Sequence, residues 1–315
     1  MMMSEWRADG VSGLPPTVEA TVVTVGTFDG VHRGHQAVLR RLAERSRETG
    51  WKAVLVTFEP HPLEVVNPAA ARPLLTVGAE RQEVLAESGI DYCAVLPFSP
   101  TLSHYTAEQF VGVLLERFHM RELLSGYDNG FGRGREGDVE TLRAIGMRRG
   151  FRVEVVPPMS GDDGRPISST SIRRAVAGGD LRSAAAGLGR PYSVSGIVSR
   201  GHQRGRTIGF PTINLPLPSP RKLLPPEGVY AVRVQTPAGP YGGMMNLGAR
   251  PTFGETDVTL EAHLFDADGD WYGAHVRIEF VSRLRDTQKF DGIDALKSQL
   301  ARDEQNARHA LMLQR

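Results

Sequence analysis

The segment Val22–Leu42, VVTVGTFDGVHRGHQAVLRRL, constrains the fold more than any other part of the chain. It begins with Val22–Val25, a β-branched run that indicates a strand. Gly26 and Gly30 then permit a sharp turn, and the apolar residues that follow recur at the spacing of an amphipathic helix. Free N–H groups and the positive dipole end of a helix start bind phosphate, so we expect an anion site at this turn.

His32 and His35 stand at the start of the predicted helix and would point toward the same anion. The HxGH pattern alone favours a polar helix cap and a structural imidazole. A metal site is the weaker interpretation, because no further ligands lie nearby and Cys93 is the only cysteine. The whole run Gly26–His35, GTFDGVHRGH, resembles the signature of the nucleotidyltransferase superfamily. That resemblance implies that the two histidines steady the phosphates of ATP during adenylyl transfer.

Strands and helices alternate through the rest of the first half of the chain. Lys52–Phe58 is a continuous apolar run typical of a strand buried on both faces, and it stops at EPHP. The alternation predicts a parallel sheet with helices on both faces, and ligands bind at the carboxyl edge of such sheets. The further predicted elements are helices Ala79–Ser88, Ala107–Phe118 and Val139–Arg149 and strands Tyr92–Leu96, Arg121–Ser125 and Arg152–Val156.

Gly132–Gly137 fits the GxGxxG pattern of dinucleotide-binding sites, and Glu154 follows about twenty residues later, as such a site requires. The preceding strand ends near Ser125, however, so these glycines do not lie on a strand-to-helix turn. We interpret them as a mobile glycine-rich loop over the sheet edge.

Ile167–Arg173, ISSTSIR, places hydroxyl groups and an arginine at a helix start. An ordinary N-cap accounts for the hydroxyls alone. Together with Arg173, they could also form a second anion site. We expect the helix to continue from Ile172 past Gly178 into Leu181–Gly187.

From Arg190 the pattern changes to short period-two strands separated by turns rich in Gly, Pro and Asp. Strands without intervening helices predict an antiparallel sheet, closed as a small barrel of five or six strands. A helix at Ile293–Leu313 would pack on it. The predicted fold is therefore α/β plus all-β: a Rossmann-like parallel-sheet domain followed by a small antiparallel β-barrel with a C-terminal helix.

Gly201–Asn214, GHQRGRTIGFPTIN, is a second candidate phosphate-binding loop. It is not a P-loop, because the glycine spacing is one residue short and Arg206 replaces the lysine. Backbone N–H groups and guanidinium donors could still bind phosphate. Thr212 and Asn214 would point the same way on an extended segment and offer two neutral oxygens suited to Mg²⁺. A β-hairpin with a solvated basic tip is the alternative.

Glu261 lies mid-strand in VTLEAHLFD and alternates with Leu260 and Ala262, so it faces away from the apolar side. A solvent-facing glutamate is the simplest account. If the polar face lines a pocket, Glu261 can act as a general base that takes a proton from an alcohol.

Length and charge bound the remaining possibilities. A chain of 315 residues suggests two domains, which we place at 20–187 and 188–315 after a disordered tail at 1–19. No apolar run is long enough to span a membrane, a net charge of +1 argues against nucleic-acid binding, and a single cysteine is typical of a cytoplasmic protein. The oligomeric state does not follow from the sequence.

Taken together, the motifs resemble the bacterial bifunctional riboflavin kinase/FMN adenylyltransferase (FAD synthetase) family. They are GTFDGVHRGH, TFEPHP, ISSTSIR, GRTIGFPTIN, PTFG, LEAHLFD and the final helix with RDEQNAR. The resemblance implies that the N-terminal domain transfers AMP from ATP to FMN, which gives FAD and pyrophosphate. It also implies that the barrel phosphorylates riboflavin from ATP, which gives FMN and ADP.

The resemblance also implies residue roles. His32 and His35 stabilise the ATP phosphates, and Thr212 and Asn214 hold Mg²⁺ and phosphate. Glu261 is the base that activates the ribityl hydroxyl. The other nucleotide- or flavin-binding residues are Gly26, Phe28, Asp29, Ser169, Thr170, Arg173, Asp128, Phe131, Gly201, Arg206, Gly209 and Pro211. One departure concerns flavin contact: Asp128 stands where the family often has asparagine, and Gly130 replaces a bulkier residue.

Three alternatives remain. A cytidylyltransferase of the same superfamily would lack GRTIGFPTIN, and a non-catalytic flavin-binding protein would not need the histidines and Glu261 intact. A nucleic-acid enzyme of synthetase type would need a tRNA-reading domain. The expected partners are therefore the small molecules riboflavin, FMN and ATP.

Overall fold

The computed structural model describes residues 14–127, 130–161, 164–200, 204–252 and 255–313. They pack into two units. The first contains residues 14–72 and Arg81–Ser168, and the second contains Pro73–Glu80 and the chain from Ser169 onward.

The first unit is built on a five-stranded parallel sheet. Its strands are β1 (Thr21–Val25), β2 (Lys52–Glu59), β3 (Tyr92–Pro97), β4 (Met120–Gly126) and β5 (Arg152–Val156). Their spatial order is β3-β2-β1-β4-β5, and every neighbouring pair is parallel. The order reverses at β1, and open sheets of this kind bind ligands outside the carboxyl ends of their strands at such a point. The predicted Rossmann-like sheet is confirmed.

Six helices are associated with this half of the chain: α1 (Arg33–Thr49), α2 (Pro62–Val66), α3 (Gly78–Ala86), α4 (Pro100–Ser103), α5 (Ala107–Phe118) and α6 (Val139–Arg149). Side-chain caps fix several of their starts. Thr106 and Gln109 form a reciprocal capping box at α5, and Asp138 accepts the Thr141 N–H at α6.

Alternate residues of the central strands enter two apolar clusters, one on each face of the sheet. Val23 of β1 packs with α5 and α6, whereas its neighbour Val22 packs with α1 and with Val84 and Leu85 of α3. Because successive side chains of a strand point to opposite faces, both faces are covered. This explains why β2 is buried at every residue between its exposed ends, Lys52 and Glu59.

The first residues of the described chain correct one expectation. The predicted disordered tail covers 1–19, of which 1–13 lie outside the described residues. Leu14 and Val18 are buried in the cluster that contains α5, and the Leu14 N–H lies 3.4 Å from the Arg117 carbonyl oxygen. Residues 14–19 are ordered because these two apolar side chains cover the sheet face.

The second unit is built on a six-stranded sheet. Its strands are β6 (Tyr192–Ile197), β7 (Ile213–Leu215), β8 (Gly228–Thr236), β9 (Gly239–Thr252), β10 (Glu255–Leu264) and β11 (His275–Arg285). All pairs are antiparallel, in the order β6-β11-β8-β9-β10-β7. The edge strands approach through a bridge between Ser199 and Asn214, and the sheet curls into a half-barrel. The predicted antiparallel sheet of five or six strands is confirmed.

Four helices complete this unit: α7 (Ser169–Ala177), α8 (Leu181–Leu188), α9 (Arg204–Thr207) and α10 (Ile293–Met312). The expectation of one helix running through Gly178 is wrong. Gly179 has φ +77°, and Asp180 caps a new helix through the Ser183 N–H. The glycine ends α7 because it adopts the left-handed conformation of a helix terminus.

Candidate active sites

The turn after β1 has an unusual backbone. Phe28 and Val31 have φ of 48° and 40°, next to Gly30 at 79°. Positive φ is costly for a β-branched residue, so the surrounding contacts must hold this conformation. Phe28, Asp29 and Val31 are all buried.

Arg81, which the sequence did not single out, anchors this turn. Its guanidinium donates to the carbonyl oxygens of Thr27 at 3.3 Å and Phe58 at 3.2 Å, and it pairs with Glu59 at 2.7 Å. The turn after β1 and the end of β2 are therefore fixed to one buried side chain.

The two predicted histidines stack on each other at the start of α1. Their ring centroids lie 3.7 Å apart with planes inclined by 17°, and Phe28 lies 4.7 Å from His35. The His35 backbone N–H donates to Nδ1 of His32 at 3.3 Å, so His32 caps the helix. In neutral His32 the proton therefore lies on Nε2.

A glycine is needed between the two rings. A Cβ at Gly34 would lie 3.1 Å from two atoms of the His32 ring. The pKa of His35 is well below its usual value, because burial and the neighbouring His32 both disfavour its charge. Nδ1 of His35 is buried and has no hydrogen-bond partner within the described residues.

An apolar cavity of about 500 Å³ opens at the carboxyl ends of β1, β2 and β3. Gly26 and Phe131, both predicted as site residues, line it. Most of the other residues that line the cavity were not predicted from the sequence, because they come from separate strand ends and loops. These are Val25, Thr27, Phe58, His61, Pro62, Leu63, Val66, Phe98, Leu102, Ser103, Tyr105, Phe110, Gly130, Gly132 and Gly134.

The GxGxxG run does not form a dinucleotide site. Phe131 and Gly137 form an antiparallel bridge. Gly132 and Gly134 line the cavity at a single 3-10 turn, Arg133–Arg135, and not at the start of an α-helix. Glu154 is paired with Arg41 at 2.5 Å, so it cannot serve as the ribose acceptor of such a site. The loop interpretation agrees with this placement.

Ser169, Thr170 and Arg173 lie in the first turns of α7, in the second unit. Arg173 Nε donates to the Pro73 carbonyl oxygen at 3.0 Å. That these residues hold a triphosphate stays a prediction.

The glycine- and arginine-rich loop of the second unit contains the single-turn helix α9. Its base closes where the Phe210 N–H donates to the Gly205 carbonyl oxygen at 2.9 Å. A Cβ at Gly205 would collide with the Phe210 carbonyl oxygen. Arg206 is exposed, and Gly209 has φ +90°. Two predicted residues, Gly201 here and Asp128 in the first unit, lie outside the described residues.

Glu261 stands in a row of polar residues across three strands. It is directly opposite Asn214 of β7 and Asn246 of β9, and directly opposed residues of an antiparallel pair point to the same face. Glu261 and Asn214 are half-buried, and Asn246 is exposed. The sequence analysis missed Asn246, although asparagine is unfavourable within a strand and could have signalled a site.

Thr212 and Asn214 are half-buried and flank Ile213, which points into the barrel interior. Across the described residues, no cluster of three His, Cys, Asp or Glu side chains could hold a metal. That the neutral oxygens of Thr212 and Asn214 hold Mg²⁺ with bound phosphate stays a prediction.

Two family models match the chain, one in each half. The FAD synthetase model covers residues 14–171, and the riboflavin kinase model covers residues 188–311. Among curated relatives, the bifunctional riboflavin kinase/FMN adenylyltransferase of Escherichia coli (strain K12) is 40% identical over 92% of both chains. The chain belongs to the bifunctional riboflavin kinase/FMN adenylyltransferase family.

Relatives from more distant bacteria support this membership. The bifunctional riboflavin kinase/FMN adenylyltransferase of Pseudomonas fluorescens is 37% identical, covering 95% of this chain and 96% of its own. The Bacillus subtilis (strain 168) member is 33% identical over 91% of both chains.

One similar solved structure is described as a macrolide-efflux protein from Streptococcus pneumoniae. It has a TM-score of 0.83 and 33% identity, and the match covers 94% of this chain and 95% of that one. The described part of the present chain includes no helix long and apolar enough to cross a membrane. Both family models describe enzymes, and the curated relatives above are named as enzymes.

Proposed function

We propose that the two units divide the two steps of flavin cofactor synthesis, with the residues assigned below. The second unit phosphorylates riboflavin with ATP to give FMN. The first unit transfers AMP from a second ATP to FMN, which gives FAD and pyrophosphate. The observation that supports this division is that each unit has its own candidate nucleotide site.

In adenylyl transfer, a phosphate oxygen of FMN attacks the α-phosphorus of ATP and pyrophosphate leaves. The turn after β1 presents the N-terminus of α1 to the phosphates, where N–H groups and the helix dipole favour negative charge. Nε2 of His32 donates a hydrogen bond. His35 acts as a neutral imidazole because its pKa is lowered. Such transfer depends mainly on positioning and charge stabilisation.

We assign the apolar cavity of the first unit to the flavin ring of FMN. Phe58, Phe98 and Phe131 line it, and aromatic walls suit a flat aromatic ligand. The cavity borders Gly26 and Thr27, which precede the histidine turn. FMN bound there would have its phosphate close to the predicted ATP site.

In the kinase step, the terminal ribityl hydroxyl attacks the γ-phosphorus of ATP and ADP leaves. Glu261 takes the hydroxyl proton, which as general-base catalysis contributes about 10²–10⁴-fold to the rate. Thr212 and Asn214 would hold Mg²⁺, which neutralises phosphate charge when it is bound. Their place opposite and beside Glu261 brings base and cation ligands to the same face of the sheet.

The test follows both products from riboflavin, ATP and Mg²⁺ by chromatography. His35→Gln is expected to stop at FMN. Glu261→Gln is expected to leave riboflavin unchanged but to convert supplied FMN to FAD. Glu279→Gln, which alters a half-buried glutamate of β11 in the same sheet, is the control and should make both products. Loss of the same step in both site variants would refute the division.

The flavin assignment has its own test. Phe131→Ala should raise the KM for FMN several-fold while riboflavin phosphorylation stays normal. Tyr127→Ala, an exposed aromatic that does not line the cavity, is the control. If the KM for FMN is unchanged in Phe131→Ala, the flavin ring does not bind in this cavity.

A further inference from the structure

The strand that bears Asn214 is unusually short. β7 pairs with β10 only through Leu215–Leu260, Asn214–Glu261 and Ile213–Ala262. Continued in register, the next pair would be Thr212 and His263. Pro211, just beyond it, has no N–H to donate, and proline stops a sheet ladder for this reason.

The side chain of His263 makes a contact where the backbone ladder ends. Its Nδ1 lies 2.7 Å from the Pro211 carbonyl oxygen. Because a carbonyl oxygen only accepts, Nδ1 bears the proton in this contact. The Phe210 ring lies edge-on to the imidazole at 5.3 Å, so two consecutive residues before Thr212 contact the same histidine.

We propose that His263 is a positioning residue of the kinase site, which holds the segment Phe210–Thr212 so that Thr212 and Asn214 can bind the cation and phosphate. This inference rests on the proposed assignment of Thr212 and Asn214 as those ligands. His263 lies two residues from Glu261 on β10, and residues two apart share a face of a strand. One strand therefore supplies both the base and the anchor of the facing segment.

The chemistry of the site explains why such an anchor matters. Phosphoryl transfer depends on placing the phosphate and its cation in line with the attacking hydroxyl. Because Thr212 would contact the cation and phosphate already in the bound complex, displacing it weakens ATP binding and so raises KM more than it lowers kcat. Thr212 lies outside the ladder and beside Pro211, so the contact between His263 and Pro211 helps to fix where its oxygen lies.

Two near-isosteric substitutions test this. In His263→Asn the amide nitrogen can occupy the position of Nδ1, whereas in His263→Gln it reaches the position of Nε2. We expect His263→Gln and His263→Ala to raise the KM for ATP in the kinase step about 10-fold or more, with a smaller change in kcat. His263→Asn should stay within about 3-fold of the parent protein. Conversion of FMN to FAD should be unchanged in all three.

Binding without turnover gives a second readout. Calorimetric titration with ADP, with and without Mg²⁺, should show a Mg²⁺-dependent gain in affinity that falls in His263→Gln and is retained in His263→Asn. Equal gains in the Asn and Gln variants, or an unchanged KM for ATP in His263→Gln, would overturn the proposal. If Thr212→Ala and Asn214→Ala both keep the full Mg²⁺-dependent gain in ADP affinity, then Thr212 and Asn214 are not the cation ligands. That outcome is distinct from one in which only the role of His263 is wrong.

Discussion

Glu261 and Asn214 lie directly opposite each other on the antiparallel strands β10 and β7. A proposed base and a proposed cation ligand thus share one cross-strand pair, with Cβ atoms about 4.5–5.5 Å apart in such pairs. Their positions are set by the register of the sheet and not by a loop.

This pairing predicts that the two residues act as a unit. Glu261→Gln and Asn214→Ala should each lower kcat for riboflavin phosphorylation about 10²-fold or more. The double variant should be little slower than the slower single variant, because residues that act together are strongly non-additive. Steady-state formation of FMN measures this. If the fold-losses of kcat in the two single variants multiply in the double variant, Glu261 and Asn214 act independently.

Gly205→Ala should damage the kinase step alone. An added methyl group collides with the Phe210 carbonyl oxygen, so the base of the loop must open and Thr212 must move. We expect a KM for ATP raised about 10-fold, equivalent to about 1.4 kcal/mol of binding, with FAD formation from FMN unaffected. Gly292→Ala in the same unit, where a Cβ would meet no atom within 4 Å, is the control and should behave as the parent protein.

The lowered pKa of His35 predicts how the stability of the fold depends on pH. Its pKa is lowered in the folded protein by burial and by His32. Above pH 6.5, the usual pKa, the imidazole is mainly neutral in both the folded and unfolded states. Below that pH the unfolded chain binds a proton that the folded protein resists, so stability falls as pH falls.

The free energy of unfolding is measured with urea at about pH 7.5 and about pH 5.5. Between these two pH values it should fall by up to about 1.4 kcal/mol more in wild type than in His35→Gln. His35→Gln has no imidazole to titrate at this position, so it is the control for wild type. Equal losses in the two proteins would show that the pKa of His35 is not lowered.

The buried ion pair between Lys222 and Glu80 predicts an effect on stability. Lys222 is buried, and its ammonium donates to Glu80 and to the carbonyl oxygens of Leu75 and Ser193, each at 2.7 Å. Lys222→Met leaves the Glu80 carboxylate buried without its cation, which should lower the free energy of unfolding by about 3–5 kcal/mol.

Urea unfolding again measures the effect. Arg148→Met breaks an exposed ion pair with Glu108 and should cost less than about 1 kcal/mol. Adding Glu80→Gln to Lys222→Met removes the unpaired charge and should recover part of the loss. A cost for Lys222→Met no larger than for Arg148→Met would contradict this account.

Much of the first unit could be predicted from local patterns. The bounds of α5 and α6 agree with prediction at both ends, because a side-chain cap fixes each start. The break between α7 and α8 was missed, although Gly178–Gly179 followed by Asp180 is a local stop-and-start signal that could have been recognised.

The long-range contacts could not be predicted in this way. Pro73–Glu80 precedes most of the parallel sheet in sequence, yet it packs in the second unit, where Glu80 meets Lys222. The apolar cavity of the first unit draws Phe58, Phe98 and Phe131 from three separate segments. Asn246 and His263 acquire their proposed importance only from the register of β9 and β10 and from the end of the ladder at Pro211.

The sequence by itself determined the strand–turn–histidine–helix element, the order of the two folds and the family. These depend on backbone preferences and motifs within about ten to twenty neighbouring residues. The tertiary structure alone decided which side chains meet across strands, which segment Lys222 binds and where the apolar cavity of the first unit lies. Such contacts depend on sheet register and on burial between distant segments, and neighbouring residues do not fix either one.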